Sequence, residues 1–275
     1  DRPRGRCEDS TTMIVRGVDV RKIELHFSTM GTDAACRHRV IDYDVRSHGT
    51  SETTVEQAEQ LIYENLCRLA NEWKIEGHED NEGGLHFADL TLIDKGWMGS
   101  WSEDGEKKTW VSQPVERFCS EKGIRHYLPA KGQPNYRQPE ASRDVILGDN
   151  WHINRGKGRE RICSEVIWNA EHWHSLVENL FMTADDDPHG FQLFASEPGL
   201  WINHKRLAEH IREGSEDLAE LRKKSTKTRK AKFRRDHFWD SFAMMLVARS
   251  VEERLREIES TRKPTRTLAQ MAAGK

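Results

Sequence analysis

Apolar and polar positions alternate along residues 13–31, MIVRGVDVRKIELHFSTMG, around a short polar break at Arg21-Lys22. A period of two interrupted by two polar residues predicts two strands joined by a tight turn. The alternation returns in residues 36–49, CRHRVIDYDVRSHG, and predicts a third strand, so the chain opens with an antiparallel meander. The period then lengthens. Val55, Ala58, Leu61, Ile62, Leu66, Leu69 and Ala70 recur at helical spacing within residues 53–74, and Thr53 or Thr54 stands where an N-cap belongs. Residues 85–94, LHFADLTLID, form a continuous run of the buried-strand kind. A helix over 111–123 ending at Gly123 and a strand over 124–132 follow. Three strands, then helix, strand, helix and strand predict an α/β fold: a mixed sheet, antiparallel meander plus parallel strands, flanked by helices.

The second half is less regular. Residues 143–154 and 158–169 read as further strands, 170–182 as an amphipathic helix, 183–190 as a loop and 203–214 as a helix stopped by a glycine. The glycine-rich stretch GDNWHINRGKGRE reads as a hairpin turn. Residues 222–235, RKKSTKTRKAKFRR, carry nine basic residues and no acidic one. An apolar helix follows, crowded from Phe238 to Val247 and continuing into the charged VEERLREIES. Residues 1–11 and 259–275 lack periodicity and read as flexible segments around one domain over 12–258.

Bulk composition narrows the classes. A net charge of −3 means that any attraction to nucleic acid must be local, and the run at 222–235 supplies a local source. The five cysteines form no C-x-x-C pair, which argues against a disulfide framework or a zinc ribbon and for a reducing, intracellular setting. No apolar run is long enough for a membrane span, and no signal peptide opens the chain. The polar start without a methionine reads as an excised domain of something longer. No G-x-x-x-x-G-K-[ST] or G-x-S-x-G motif occurs, so P-loop nucleotide binding and that form of serine hydrolysis are not expected.

Three carboxylates occupy positions where strands or a core helix should be apolar: Asp19 at the end of the first strand, Asp94 after LTLI, and Asp240 on the last helix. A buried carboxylate needs a cation, a hydrogen-bond network or a proton. The plain readings are turn or cap residues for Asp19 and Asp94, and an ion pair with an arginine for Asp240. The chemical reading is a shared pair of divalent cations, with Asp236 as a further ligand or else the N-cap of the helix; hard oxygen donors favour Mg²⁺ or Mn²⁺. Glu24 is a weaker candidate. Phosphate contacts are expected from Lys131, Lys223, Lys224, Lys227, Arg229, Lys230, Lys232, Arg234 and Arg235, with Lys95 as a further member of the same groove. In HWH, residues 172–174, the spacing points the two rings to different sides of a helix and predicts surface or core histidines, not metal ligands.

Taken in order, GVDVRKIEL, VIDYDVRSHG, LTLIDKGWM, VERFCSEKGIRHYLPAKG and DHFWDSFAMMLVA resemble the C-terminal nuclease domain of the large terminase subunit of tailed phages, lambda-like branch, over roughly residues 12–250. The resemblance implies a ribonuclease-H-like fold and two-metal hydrolysis of concatemeric double-stranded DNA by an endonuclease whose acidic residues match Asp19, Asp94 and Asp240. It implies as partners a terminase ATPase domain missing from this chain, a small terminase subunit and a portal, and as setting the host cytoplasm during phage assembly. Two features depart from the family: Asp236-His237 stands where an Asn-Glu pair is common, and the polar segment 95–110 stands where relatives run straight into a helix. Two other readings remain: a transposase or resolvase core on the same fold, and a non-catalytic DNA-docking module.

Overall fold

The computed structural model describes residues 3–95, 114–123, 125–155, 164–183, 187, 190–194, 205, 207–210, 212–213 and 237–261. The first three strands form the expected meander: β1 (Thr11–Val20), β2 (Glu24–Asp33) and β3 (His38–Ser47). The turn between β1 and β2 falls at Arg21–Ile23. Helix α1 (Val55–Glu76) starts at the Thr54 cap, where the Thr54 side chain accepts from Gln57 N–H and the Gln57 side chain accepts from Thr54 N–H.

The apolar run 85–94 divides. Leu85–His86 (β5) pairs with His78–Glu79 (β4) in a separate two-stranded ribbon, and only Leu90–Asp94 (β6) joins the main sheet. The break falls where Asp89 accepts a hydrogen bond from Ile14 N–H through Oδ2. Helix α2 (Pro114–Lys122) leads into β7 (Tyr127–Gln133). The stretch 143–154 is a hairpin, not one strand: β8 (Val145–Gly148) and β9 (Trp151–Asn154) pair antiparallel across Asp149-Asn150, with Asn150 at φ 55°. Then come β10 (Glu165–Asn169), α3 (Ala170–Met182), β11 (Phe191–Gln192) and α4 (His237–Thr261). The described residues between 205 and 213 are helical, as the periodicity there predicts.

The main sheet runs β11-β3-β2-β1-β6-β7-β10-β9-β8. β1 lies antiparallel to β2 and parallel to β6; β7 and β10 continue the parallel direction before β9 and β8 reverse it. A central first strand, with its meander on one side and parallel strands on the other, is the ribonuclease-H-like order.

Side-chain alternation assigns the two faces. Val18 and Val20 of β1 pack with Ile62, Leu66 and Leu69 of α1 and Phe118 of α2, while Met13 and Val15 pack with α4. Helix α4 is buried on nearly all sides from Phe238 to Ala248, because α3 and its neighbours cover the side that the sheet does not. It approaches β1 closely at Gly17, where a β-carbon would stand 2.0 Å from Ser241 O and 2.7 Å from Met245 N.

Candidate metal and nucleic-acid site

Strand register explains why two of the carboxylates meet. Val18 pairs with Ile93 in the parallel β1–β6 ladder, so the next residues, Asp19 and Asp94, stand side by side at the carboxyl ends of their strands. Val18 and Ile93 both face α1, so Asp19 and Asp94 both face α4. The carboxyl ends of parallel strands are where open α/β sheets bind ligands. Asp240 reaches the same place from the first turn of α4, where a negative charge is favoured by the helix dipole.

What holds these groups together is Arg21. Its Nε donates to Asp19 Oδ2 at 2.7 Å, and its Nη2 donates to Asp240 Oδ2 at 2.9 Å. Burial works against the Arg21 charge, but Asp19, Asp240 and Asp94 outweigh it and push the guanidinium's pKa above its ordinary value. One guanidinium thus sits in the field of three carboxylates, leaving negative charge in excess. Asp19 is 1% exposed; burial opposes its ionisation, yet Arg21, then His237 and His26, hold it below the usual carboxylate range.

Three histidines fringe the cluster. His237 Nδ1 lies 3.3 Å from Asp19 Oδ2, and the rings of His237 and His26 are 4.7 Å apart. His26, the cross-strand partner of Asp19, sits 3.2 Å through Nε2 from Glu24 Oε2. His174 Nε2 meets Asp240 Oδ1 at 3.0 Å, with Trp168 and Trp239 edge-on to its ring. The two rings of HWH diverge as their spacing predicts: His174 meets Asp240, while His172 contacts Trp173. Arg21 and His26 carried no signal beyond same-face alternation with Asp19.

The donors are oxygen and imidazole, which suits a hard divalent cation in kind, and the buried Nδ1 atom of His26 has no hydrogen-bond partner among the described residues. Among those residues no group of three or more His, Cys, Asp or Glu side chains has metal-holding spacing. The spacing of Asp19 and Asp240 is set by the guanidinium between them.

The other expected residues fall as follows. Asp236 and the run 222–235, with Lys223, Lys224, Lys227, Arg229, Lys230, Lys232, Arg234 and Arg235, lie outside the described residues. Lys131 is exposed at the same sheet edge, but alternation sends it to the face opposite Asp94, since its neighbour Ala130 pairs with Asp94. Lys95 does not join the groove: it is held by Glu116 at 2.9 Å and by Glu165.

The depressed Asp19 carboxyl has a consequence for stability. A folded-state pKa below the unfolded one stabilises the fold above the unfolded value, about 3.9, and that contribution disappears as pH falls through the folded value. Asp19→Asn should therefore be less stable than the parent at pH 7, by about 1–3 kcal/mol. In urea titrations the gap should narrow progressively as pH falls below about 3.9; a gap that stays constant throughout the acid range contradicts the assignment.

No helix among the described residues is long and apolar enough to cross a membrane, and Cys7, Cys36, Cys67 and Cys119 are free. No family model matches the chain, and no curated protein matches it. Among solved structures it is similar to Thermus thermophilus RuvC in complex with a Holliday junction substrate, at 12% identity and a TM-score of 0.28, over 42% of this chain and 65% of that one. An exopolyphosphatase from Cytophaga hutchinsonii matches at 9% identity and a TM-score of 0.25, over 90% and 91% of the two chains. A foamy viral protease-reverse transcriptase in complex with an RNA/DNA hybrid matches at 12% identity and a TM-score of 0.23, over 89% of this chain and 36% of that one. The strand order of the chain itself makes it an α/β protein of ribonuclease-H-like fold.

Proposed function

We propose that the chain is a metal-dependent endodeoxyribonuclease domain, of the kind that cuts concatemeric DNA in terminase large subunits. The observation that carries this reading is the convergence of Asp19, Asp94 and Asp240 on Arg21 from β1, β6 and α4. Three acidic groups at the carboxyl end of a central parallel pair suit charge-demanding chemistry better than packing. Asp19 and Asp240 would hold Mg²⁺ or Mn²⁺, with Asp94 completing the set for a second ion. Such ions supply an activated water and neutralise charge at a scissile phosphate.

The chain's own residues prepare that chemistry. Arg21, with His237 and His26, keeps Asp19 ionised against its burial, and His174 orients the Asp240 carboxylate from the side away from Arg21. Arg21 keeps the acidic groups from repelling one another while no metal is bound, and it must swing aside for a metal to enter. The basic run 222–235, leading into α4, grips the phosphate backbone, so cleavage is sequence-indifferent and salt-sensitive.

The test combines digestion and calorimetry. Plasmid should be nicked and linearised in Mg²⁺ or Mn²⁺ and left intact with chelator. Mn²⁺ should bind the parent, and Arg21→Gln should bind it on the order of tenfold more tightly, because one competing cation is gone. Absence of Mn²⁺ binding to both proteins would reduce the chain to a DNA-docking module. Strand joining, in place of simple cutting, would move it to the transposase class.

A further inference from the structure

On the other face of the sheet, and toward the opposite end of its parallel strands, α1, α2 and the starts of β6 and β7 enclose an open cleft of about 410 Å³. That volume lies within the roughly 300–1,000 Å³ of small-molecule sites. Its floor is Arg16. Alternation along β1 separates this residue from Asp19, which faces α4, so the cleft is independent of the carboxylate cluster.

Arg16 is 3% exposed, and its partners are neutral. Nε donates to Thr29 Oγ1 at 2.9 Å, and Nη2 lies 3.2 Å from His78 Nε2. His78 Nδ1 stands 3.1 Å from Gly5 O, and burial, followed by Arg16, pushes the imidazole pKa down to about 4, so His78 accepts from Arg16 without charge. The guanidinium also stacks on Trp73, its central carbon 3.8 Å from the ring centroid. Asp42 acts on it electrostatically, but that carboxylate is hydrogen-bonded by Arg4. Among the described residues Arg16 forms no ion pair, Nη1 donates no hydrogen bond, and no carboxylate lines the cleft. A buried cation without a counter-charge is costly. Here it opens on a cleft whose rim adds Lys74 and Lys122, neither of them ion-paired among the described residues, and whose walls add the aromatic rings of Phe87 and Tyr127.

We propose that this cleft binds a nucleoside monophosphate, its phosphate meeting Nη1 of Arg16 with Lys74 and Lys122 at the rim, and its base lying against Phe87 and Tyr127. A guanidinium offers phosphate a charge-assisted hydrogen bond, and a planar base has an aromatic wall to meet. The phosphate can belong to a free nucleotide or to the 5′ end of a DNA strand.

The experiment is calorimetric titration of the whole chain with dAMP, in chelator so that no metal-held phosphate contributes. dAMP should bind, while deoxyadenosine and inorganic phosphate should each bind at least about tenfold more weakly. Lys74→Gln/Lys122→Gln, altered only at the surface, should weaken dAMP about tenfold or more, and Arg16→Met, its fold checked by circular dichroism, should eliminate binding. Competition by a 5′-phosphorylated oligonucleotide, and not by its 5′-hydroxyl counterpart, would identify a strand end as the source. No heat with dAMP, or unchanged affinity in the double variant, overturns the proposal. Phosphate binding as tightly as dAMP overturns its base half.

Discussion

Asp240→Ala should abolish plasmid cleavage in Mg²⁺ or Mn²⁺ while leaving the domain folded. The expected fall in rate is on the order of 10³-fold, the scale of losing one group that stabilises transition-state charge. The expected change in stability is about 1 kcal/mol. These two numbers separate because of how Asp240 is placed. Its side chain is 24% exposed, and each of its partners has another arrangement available. Arg21 keeps its 2.7 Å contact with Asp19, so no buried cation is orphaned, and His174 is still held between Trp168 and Trp239. The missing charge then shows itself only when a metal is to be held. Mn²⁺ affinity should fall with the cleavage rate, and urea denaturation should show a midpoint close to the parent's. Full cleavage by the variant in Mn²⁺ would remove Asp240 from the site.

Much of the scaffold was legible because it is local. The β1–β2 turn at Arg21-Lys22 and the Thr54 capping box depend on residues within a few positions of each other, and both stand where the pattern places them. The failures are also physical. The run 85–94 looked like one strand because apolar content says nothing about where the backbone changes partners, and Asp89 ends the pairing by taking a hydrogen bond from β1. The hairpin turn expected over GDNWHINRGKGRE is shorter than that stretch: it closes at Asp149-Asn150, where Asn150 and not a glycine takes the positive φ, and Trp151–Asn154 returns as β9. At the site, alternation placed Asp19 and the run LTLID placed Asp94. The Arg21–Asp240 contact spans 219 positions, and nothing local announces it. The apolar run around Asp240 predicts a position inside a helix, where capping is impossible; it lies in the first turn of α4, and an ion pair with an arginine, the plain alternative to a metal, is the contact observed. The two readings are compatible if the arginine holds the place of the cation.

Gly17→Ala should disrupt both the fold and the site through a single added methyl. The β-carbon it adds would stand 2.0 Å from Ser241 O, 2.7 Å from Met245 N and 3.0 Å from Met244 Cβ. Two of these are backbone atoms of a helix buried on nearly all sides, so no side chain can turn away to make room. Restoring ordinary contact at about 3.5 Å requires α4 to retreat from β1 by more than an ångström. Overpacking of this kind costs about 1–3 kcal/mol when side chains can yield, and the upper end or beyond is expected here. The displaced carbonyl belongs to the residue after Asp240, so the helix cannot retreat without carrying that carboxylate away from Asp19 and Arg21. Misplacement by about 1 Å at a catalytic group can cost about 10²-fold in rate. Gly17→Ala should therefore lower the urea midpoint and, at a temperature where the variant is still folded by circular dichroism, also cut at least about a hundredfold more slowly. Parent-like stability would mean that α4 and β1 do not approach as closely as Gly17 permits. Reduced stability with parent-like cleavage would mean that the position of Asp240 does not limit the reaction.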